Sequence, residues 1–548
     1  MKTKKNEFDE WTESDFIDEI IKLRRRKKYG IVWDEEGIEE ERFGKESEGK
    51  LPILKEVKSK EIKMSGNTPT NILIEGENFH ALSVLNYTHK GKIDVIYIDP
   101  PYNRGNEFRY NDKLVDDEDA YSNSKWLSFI FNRLRWAKKL LRGDGLIFIS
   151  IDENEFAQLK LLCDDNNLFT KNNFLACITW RQLHTVKNNA RYFSKSTEYI
   201  LVYGKNIQKI KKLRQSSDKS TNYNYDDNDG KGSYKYDPLS ARNKNIEYEF
   251  HFDKWNLTWR APKGSYPRYS QATLKKMYDA GDIVYKKGWK EPRTKRYLAN
   301  VQVGVPPSTF WDGKDVGFNF HATSELADIL TRDAFLSPKP VSLMEKIQEI
   351  GFFGKEKGIV LDFMAGSGTT GHATLKLNNS KNTNIQFILC TNNENQICTE
   401  VCYPRIKNVI KGYTSKQSNK KIEGLGGNLK YFKTDFVDGE PTDKNKKKLV
   451  EQCTEMLCLK EDCFDEIKQT KTYSIFKNHE DEYLGIIYDD DGIEPLKKQI
   501  KSTGKKFNVY VFSLDDSARE EEFEDMKEMV DLKPIPEVIL NVYRRIFR

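Results

Sequence analysis

Residues 92–102 read KIDVIYIDPPY, a run of Ile, Val and Tyr that breaks off at an acid, two prolines and a second tyrosine. A short apolar run of this kind, closed by turn formers, fits a strand covered on both faces, as in a parallel α/β sheet. In such sheets ligands bind beyond the C-terminal ends of the strands, which is where this run delivers Asp99. Pro100 and Pro101 fix φ at about −65° and donate no N–H, so the carbonyls around them hold a set direction and stay free to accept. Tyr102 adds a flat apolar face with a polar tip. Together these groups suit gripping an amino group on a flat heterocycle. A proline-terminated strand with a helix-capping Asp is the plainer alternative.

Working outward, the same grammar recurs in NILIEG (71–76), GLIFISID (145–152), EYILVY (198–203), GIVLDFM (358–364) and IQFILC (385–390). Each run is rich in Ile, Val and Leu, is bounded by turn residues and is followed by a helix-length segment, which predicts an α/β fold built on a parallel sheet. Five regions follow from the pattern. Residues 1–70 form a charged N-terminal arm with a helix at Ser14–Lys28 running into LRRRKKYG. Residues 71–204 and 311–424 carry the sheet, and residues 205–310 interrupt it, with the polar stretch 215–233 near the start. From 425 to 548 a helical stretch (Lys446 to Leu459) and the strand-like runs SIFK, YLGIIYD and FNVYVFSL predict a small C-terminal α/β domain.

A chain of 548 residues exceeds what one core usually serves, and 37% hydrophobic residues suffice for several. No stretch approaches the roughly 20 apolar residues that span a bilayer, and the N-terminus lacks the apolar core of a signal peptide, so a cytoplasmic protein is expected. The eight cysteines include no CxxC spacing, which predicts reduced structural thiols and no metal. The net charge is only +6, yet residues 205–300 hold 22 Lys and Arg against 11 Asp and Glu. That concentration points to a polyanionic partner for the insertion.

A second motif lies far downstream. LDFMAGSGTTGHA (361–373) is a strand end, a glycine-rich turn and a helix start. Gly366 and Gly368 let the backbone approach a ligand, and the helix N-terminus offers N–H groups. His372 follows Gly371 where a phosphate-binding Walker loop requires lysine, and no acid follows at the spacing of a dinucleotide fingerprint.

DPPY at 99–102 together with AGSG at 365–368 resembles the amino-group DNA methyltransferases that use S-adenosylmethionine. The order, DPPY before the glycine loop with a long insertion between, resembles their β group. LRRRKKYGIVWDEE, ILIEGENFHAL, IYIDPPYNRGNEFRYND and LDFMAGSGTTGHA resemble the modification subunit of type III restriction-modification systems.

This resemblance implies a Rossmann-like methyltransferase sheet, an inserted target recognition domain and a C-terminal docking or dimerisation domain. It further implies methylation of adenine N6 on a flipped base. Asp99 and the Pro100 carbonyl would accept from the amino group beside Pro101, and Tyr102 would stack on the ring. DPPY, rather than SPPY, favours adenine N6 over cytosine N4. S-adenosylmethionine would lie on Asp362, Phe363, Met364, Ala365, Gly366, Ser367, Gly368 and Thr369, near Lys339 of SPKP (337–340), with Asn78, Asn392, Asn393 and Glu394 near its adenosine. Met364 stands where the family usually has Phe, and Thr391-Asn392-Asn393 precede Glu394 where many relatives carry an acid directly after the strand. In the insertion, Lys286, Lys287, Arg293, Lys295 and Arg296 are the candidates for DNA phosphates, and most of its aromatics are expected to form its own core. His184, in the polar loop between two strands, is a minor candidate. The implied partners are double-stranded DNA, a second copy of the chain and a restriction helicase-nuclease subunit. Rival readings are an orphan or cytosine-N4 methyltransferase and an inactive DNA-recognition subunit.

Overall fold

The computed structural model describes residues 12, 50–64, 68–102, 122–186, 190–216, 223–242, 247–300, 304–438, 443–512 and 520–535. The helix expected at Ser14–Lys28 lies outside them. The chain divides into two compact units, one made of residues 1–213 with 308–548 and the other of residues 214–307.

The first unit is organised by a ten-stranded sheet. Its strands in chain order are β1 (Lys50–Glu56), β2 (Thr70–Glu75), β3 (Ile93–Ile98), β4 (Leu141–Ile151), β5 (Phe174–Arg181), β6 (Thr197–Gly204), β7 (Phe310–Asp312), β8 (Lys357–Asp362), β9 (Asn384–Thr391) and β10 (Asn428–Asp438). Their spatial order is β1-β10-β2-β9-β8-β3-β4-β6-β5-β7. From β10 to β4 every neighbouring pair is parallel. β6 runs against both β4 and β5, and β1 runs against β10. The α/β architecture expected from the sequence is therefore present, with antiparallel additions toward both edges.

Helices cover both faces, which is why the central strands read as nearly unbroken apolar runs. Leu73, Val95, Tyr97, Leu146 and Phe148 pack against α5 (Val341–Gly351), α6 (Thr369–Lys381) and α7 (Tyr403–Lys411). The alternate residues Ile72, Ile74, Ile96, Ile98 and Ile147 pack against α1 (Asn78–Thr88), α2 (Ser122–Leu140) and α8 (Asp443–Glu461). Two further helices, α3 (Phe156–Asp164) and α4 (Asn319–Ile329), complete the helical layers. Beyond α8, the segments Asp465–Gln469, Tyr473–Lys477, Tyr483–Ile487, Phe507–Val511 and Val530–Leu532 make a five-stranded sheet with its own core around Leu496, Ile500 and Val509.

The second unit holds a three-stranded sheet (Ile283–Val284, Arg293–Tyr297, Tyr234–Pro238), a hairpin (Glu249–Phe252, Leu257–Arg260) and a helix (Gln271–Asp279). Its core is Leu239, Phe250, Phe252, Trp259, Leu274 and Ile283. Among the described residues no helix is long and apolar enough to cross a membrane, and no group of three or more His, Cys, Asp or Glu side chains is placed to hold a metal. All eight cysteines are free, seven of them buried.

Candidate active site

β8 and β3 lie side by side although about 260 residues separate them in the chain, with Val360 opposite Val95 and Leu361 opposite Ile96. After β8 the chain passes through α6 to β9 on one side of the pair, and after β3 it passes through α2 to β4 on the other. Strand order reverses at this point, and the diverging connections leave a crevice beyond the strand ends. Asp99 and Asp362 close the two strands there.

Asp99 is held by a compact polar network. Its Oδ1 accepts from the Tyr102 hydroxyl at 2.5 Å, and its Oδ2 pairs with Lys339 Nζ at 3.0 Å. The same ammonium lies 3.1 Å from Glu198 Oε2, donates to the Tyr102 hydroxyl at 3.0 Å and sits 5.1 Å from the centre of the Tyr102 ring. Glu198 is the second residue of β6, which starts where β3 and β4 end because it runs antiparallel to β4. The proline pair is fixed from α2, where Trp126 Nε1 donates to the Pro101 carbonyl at 2.7 Å. Lys339 arrives on the SPKP turn, whose Ser337 adopts a left-handed φ of +55° directly before a proline, a strained conformation for that position. Burial works against the Lys339 charge, but Asp99 and Glu198 outweigh it and hold the ammonium above its ordinary pKa. The Tyr102 hydroxyl is pushed far above the phenol range, first by burial and then by Asp99 and Glu198. It stays protonated and donates.

The glycine loop is equally determined. Thr370 Oγ1 donates to Asp362 Oδ2 at 2.5 Å and the Met364 N–H donates to Oδ1 at 3.0 Å. Burial nevertheless pushes the Asp362 carboxyl up to about 7, with the Asp99 charge adding a little. Gly366 and Gly368 take φ of +48° and +78°, and a Cβ on Gly368 would lie 2.9 Å from Cys402 Sγ. The Ala365 N–H donates to the Cys390 carbonyl at the end of β9, 3.0 Å away. Beneath the loop Phe363 is buried, and Arg405 from α7, also buried, donates to Ser367 Oγ at 3.0 Å and Thr369 Oγ1 at 2.8 Å. Burial pulls the Arg405 guanidinium down to about 10, which leaves it cationic at neutral pH.

Two neighbouring loops complete the rim. The Gly76 N–H donates to the Thr391 carbonyl at 3.0 Å. Asn78 Oδ1 accepts from Arg133 Nε at 2.6 Å, and the Asn392 amide donates to Glu77 Oε1 at 3.5 Å. Asn392 Oδ1 is buried with no hydrogen-bond partner among the described groups. Asn393 Oδ1 caps Thr399, and Glu394 is half-buried at the start of a helical turn. The residues singled out in the sequence for the amino group and for the cofactor thus lie on loops that hydrogen-bond to one another or end neighbouring strands. Lys339, expected beside the cofactor's methionine, is seated on Asp99.

Glu198 and Arg405 were not singled out in the sequence. An acid one step inside the apolar run TEYILVY was the available signal for the first. For the second it was an arginine in the face of CYPRIKNVI that packs inward. The loop between β5 and β6 presents Tyr192 at 80% and Phe193 at 93% exposure, with Arg191 over Tyr192 at 5.3 Å. His184 in that loop stands edge-on to Phe318 at 5.2 Å.

In the inserted unit, Lys286 lies 4.8 Å from the Tyr236 ring and 5.6 Å from the Trp289 ring, and Arg293 lies 5.0 Å from the Trp289 ring. Lys295 pairs with Asp227 at 2.5 Å and is largely covered, whereas Arg296 pairs with Asp237 at 3.2 Å and is half exposed. Lys287 is exposed. Trp259 belongs to the unit's core and Trp255 packs against it.

The family described as DNA methylase matches residues 93–401, more than half of the chain. The Mod subunit of the type III restriction-modification enzyme StyLTI from Salmonella typhimurium is 32% identical over 351 residues, 59% of this chain and 52% of that protein. The Mod subunit of EcoP15I from Escherichia coli is 29% identical over 404 residues, 61% of this chain and 60% of that protein. The type II methyltransferase M.KpnI from Klebsiella pneumoniae is 30% identical over 393 residues, 68% of this chain and 92% of that protein. The match therefore spans between half and three-fifths of the two type III subunits.

Proposed function

The chain belongs to the DNA methylase family, and from that premise we propose that it is a site-specific DNA methyltransferase acting on the N6 amino group of an adenine flipped out of the duplex. The observation that carries the reading is the pairing of β3 with β8, which ends Asp99-Pro100-Pro101-Tyr102 and the Asp362–Thr369 loop side by side. Amino-group methylation needs an acceptor that holds the amino nitrogen and a donor site against it, and little other covalent machinery.

S-adenosylmethionine, when bound, supplies a methyl group activated on a sulfonium. The chain's residues suit it. Gly366 and Gly368 provide a close backbone approach, Asn392 Oδ1 is a buried acceptor awaiting a donor, and a cationic ligand favours the ionised form of Asp362. We assign Asp362 to Thr369, Asn78, Asn392, Asn393 and Glu394 to holding it. Asp99 and the Pro100 carbonyl accept the two amino hydrogens and aim the nitrogen. Tyr102 supports the base and, through its hydroxyl, fixes the Asp99 rotamer. Lys339, Glu198 and Tyr102 are largely buried, and burial strengthens the contacts among them.

The finer reading is the modification subunit of a type III restriction-modification system, working as a dimer with a restriction helicase-nuclease subunit. Residues 205–310 would read the DNA and residues 425–548 would dock or dimerise. The similarity to the type III Mod subunits supports this. A stand-alone methyltransferase is the second reading, favoured by the match to 92% of M.KpnI.

The test is to incubate the protein with tritiated S-adenosylmethionine and DNA of mixed sequence, then digest to nucleosides. Label is expected in N6-methyladenine and should vanish with Asp99→Ala. Label in N4-methylcytosine, or undiminished label in the variant, would overturn the assignment.

A further inference from the structure

We propose, resting on the amino-methylation reading above, that Glu198 is a positioning residue: it is the alternative seat for the Lys339 ammonium, and by drawing that ammonium off Asp99 it opens Asp99 to the target amino group. As the structure stands, Tyr102 occupies Asp99 Oδ1 and Lys339 occupies Oδ2. The ammonium has three hydrogens and three acceptors within 3.1 Å, namely Asp99, Glu198 and Tyr102. An ammonium on Asp99 takes one acceptor site of the carboxylate and offsets the negative charge that an amino hydrogen would seek. The weakly polarised amino hydrogen is the poorer competitor for that charge.

Moving the ammonium away is costly in a buried site unless another carboxylate receives it. Glu198 is that carboxylate. It is 4% exposed, is fixed at the start of β6 by the ladder to β5, where it lies opposite Trp180, and already lies at bonding distance from Lys339 Nζ. Exchange needs one contact to lengthen while the other is kept, and Tyr102 can follow either carboxylate, since its hydroxyl lies 3.4 Å from Glu198 Oε2. Neither charge is left without a partner at any stage. Lys339 stays protonated throughout, so no proton changes hands in this step.

The experiment is a double-mutant cycle on the full chain, with Glu198→Gln, Lys339→Met and their combination. The target site is first mapped by the labelling experiment. Two readouts are taken: single-turnover methyl transfer, and cofactor-free affinity for DNA carrying adenine or purine at the target position, purine lacking the amino group. The native protein should prefer adenine over purine. Glu198→Gln should abolish that preference and slow transfer by about ten- to a hundred-fold, the scale of a misplaced reacting group. In the Lys339→Met background the same change should alter transfer by less than about threefold, because the two residues act as one unit. If Glu198→Gln melts below the assay temperature, Glu198→Asp, with its carboxylate one methylene short of Lys339, is read in the same way. Equal loss in both backgrounds, or a retained adenine preference in Glu198→Gln, overturns the assignment while leaving the methyltransferase reading intact. Absence of any transfer by the native protein overturns both.

Discussion

Asp362 is 2% exposed and its carboxyl is pushed up to about 7 from an ordinary 3.8. Folding therefore binds the proton more tightly than the unfolded chain does. Because the folded value is the higher one, this group favours the native state fully below about pH 4, progressively less as the pH rises toward 7, and no less beyond it. At about 1.36 kcal/mol per pH unit, the ionisation penalty amounts to about 2 kcal/mol at pH 5.5 and about 4 kcal/mol at pH 8. Asp362→Asn removes the ionisation and keeps the shape. Its carbonyl still accepts from the Met364 N–H, and its amide can donate to the Thr370 hydroxyl. The variant should be more stable than the native protein, by about 2 kcal/mol more at pH 8 than at pH 5.5. Domains of ordinary stability, about 5–15 kcal/mol, make that difference readable in urea unfolding at the two pH values. Methyl transfer should fall in the same variant, as expected of a group kept for binding at the expense of stability. An identical stability change at both pH values would refute the view that burial holds Asp362 near neutrality.

Gly368→Ala meets both a left-handed backbone and a 2.9 Å contact with Cys402 Sγ, and should cost about 2–4 kcal/mol; a thermal unfolding midpoint equal to the native one would remove the argument for the cradle. Arg293→Ala should weaken DNA binding and reduce the salt slope of log Kd by about one. Lys295→Ala, which removes the ammonium partner of Asp227 and leaves it the Tyr234 hydroxyl, should instead lower the melting temperature of the inserted unit with a smaller change in that slope. A combined Tyr192→Ser and Phe193→Ser change should leave the melting temperature within about 1 °C, since both rings are exposed, while lowering transfer to duplex DNA; unaltered kinetics would exclude those rings from the DNA contact.

The central sheet was legible because both faces of its strands are covered, so that burial writes itself into an apolar run. Strands whose polar residues are buried in pairs escape that signal. NLKYFKTDFVD reads as half-solvated, yet Lys430 is buried between Glu56 and Glu61, and the segment is β10, inside the large sheet. β1 escaped because its sequence, KLPILKE, alternates too few apolar residues with charged ones to stand out from the charged arm around it. β7, at three residues, is too short to show any period. Asp99 and the glycine loop were legible because proline fixes φ locally and glycine marks turns that need left-handed φ. Glu198 was not, because its meaning depends on Lys339, which arrives from about 140 residues away through a turn after the insertion.

The order in which the strands are made differs from the order in which they lie. β2 and β3 are made before β8 and β9, which occupy the space between them and whose first residue follows the end of β3 by about 260 positions. At about 5–20 residues per second, roughly 13 to 50 seconds pass between the synthesis of Asp99 and the arrival of the strand that must lie against it. During that interval β2 waits without either neighbour and β3 with β4 alone, and β1 waits longer still for β10. For that interval the nascent chain holds Asp99–Tyr102 without the Asp362–Thr369 loop beside it. The strand order itself makes closure of the sheet wait for residues 357–438.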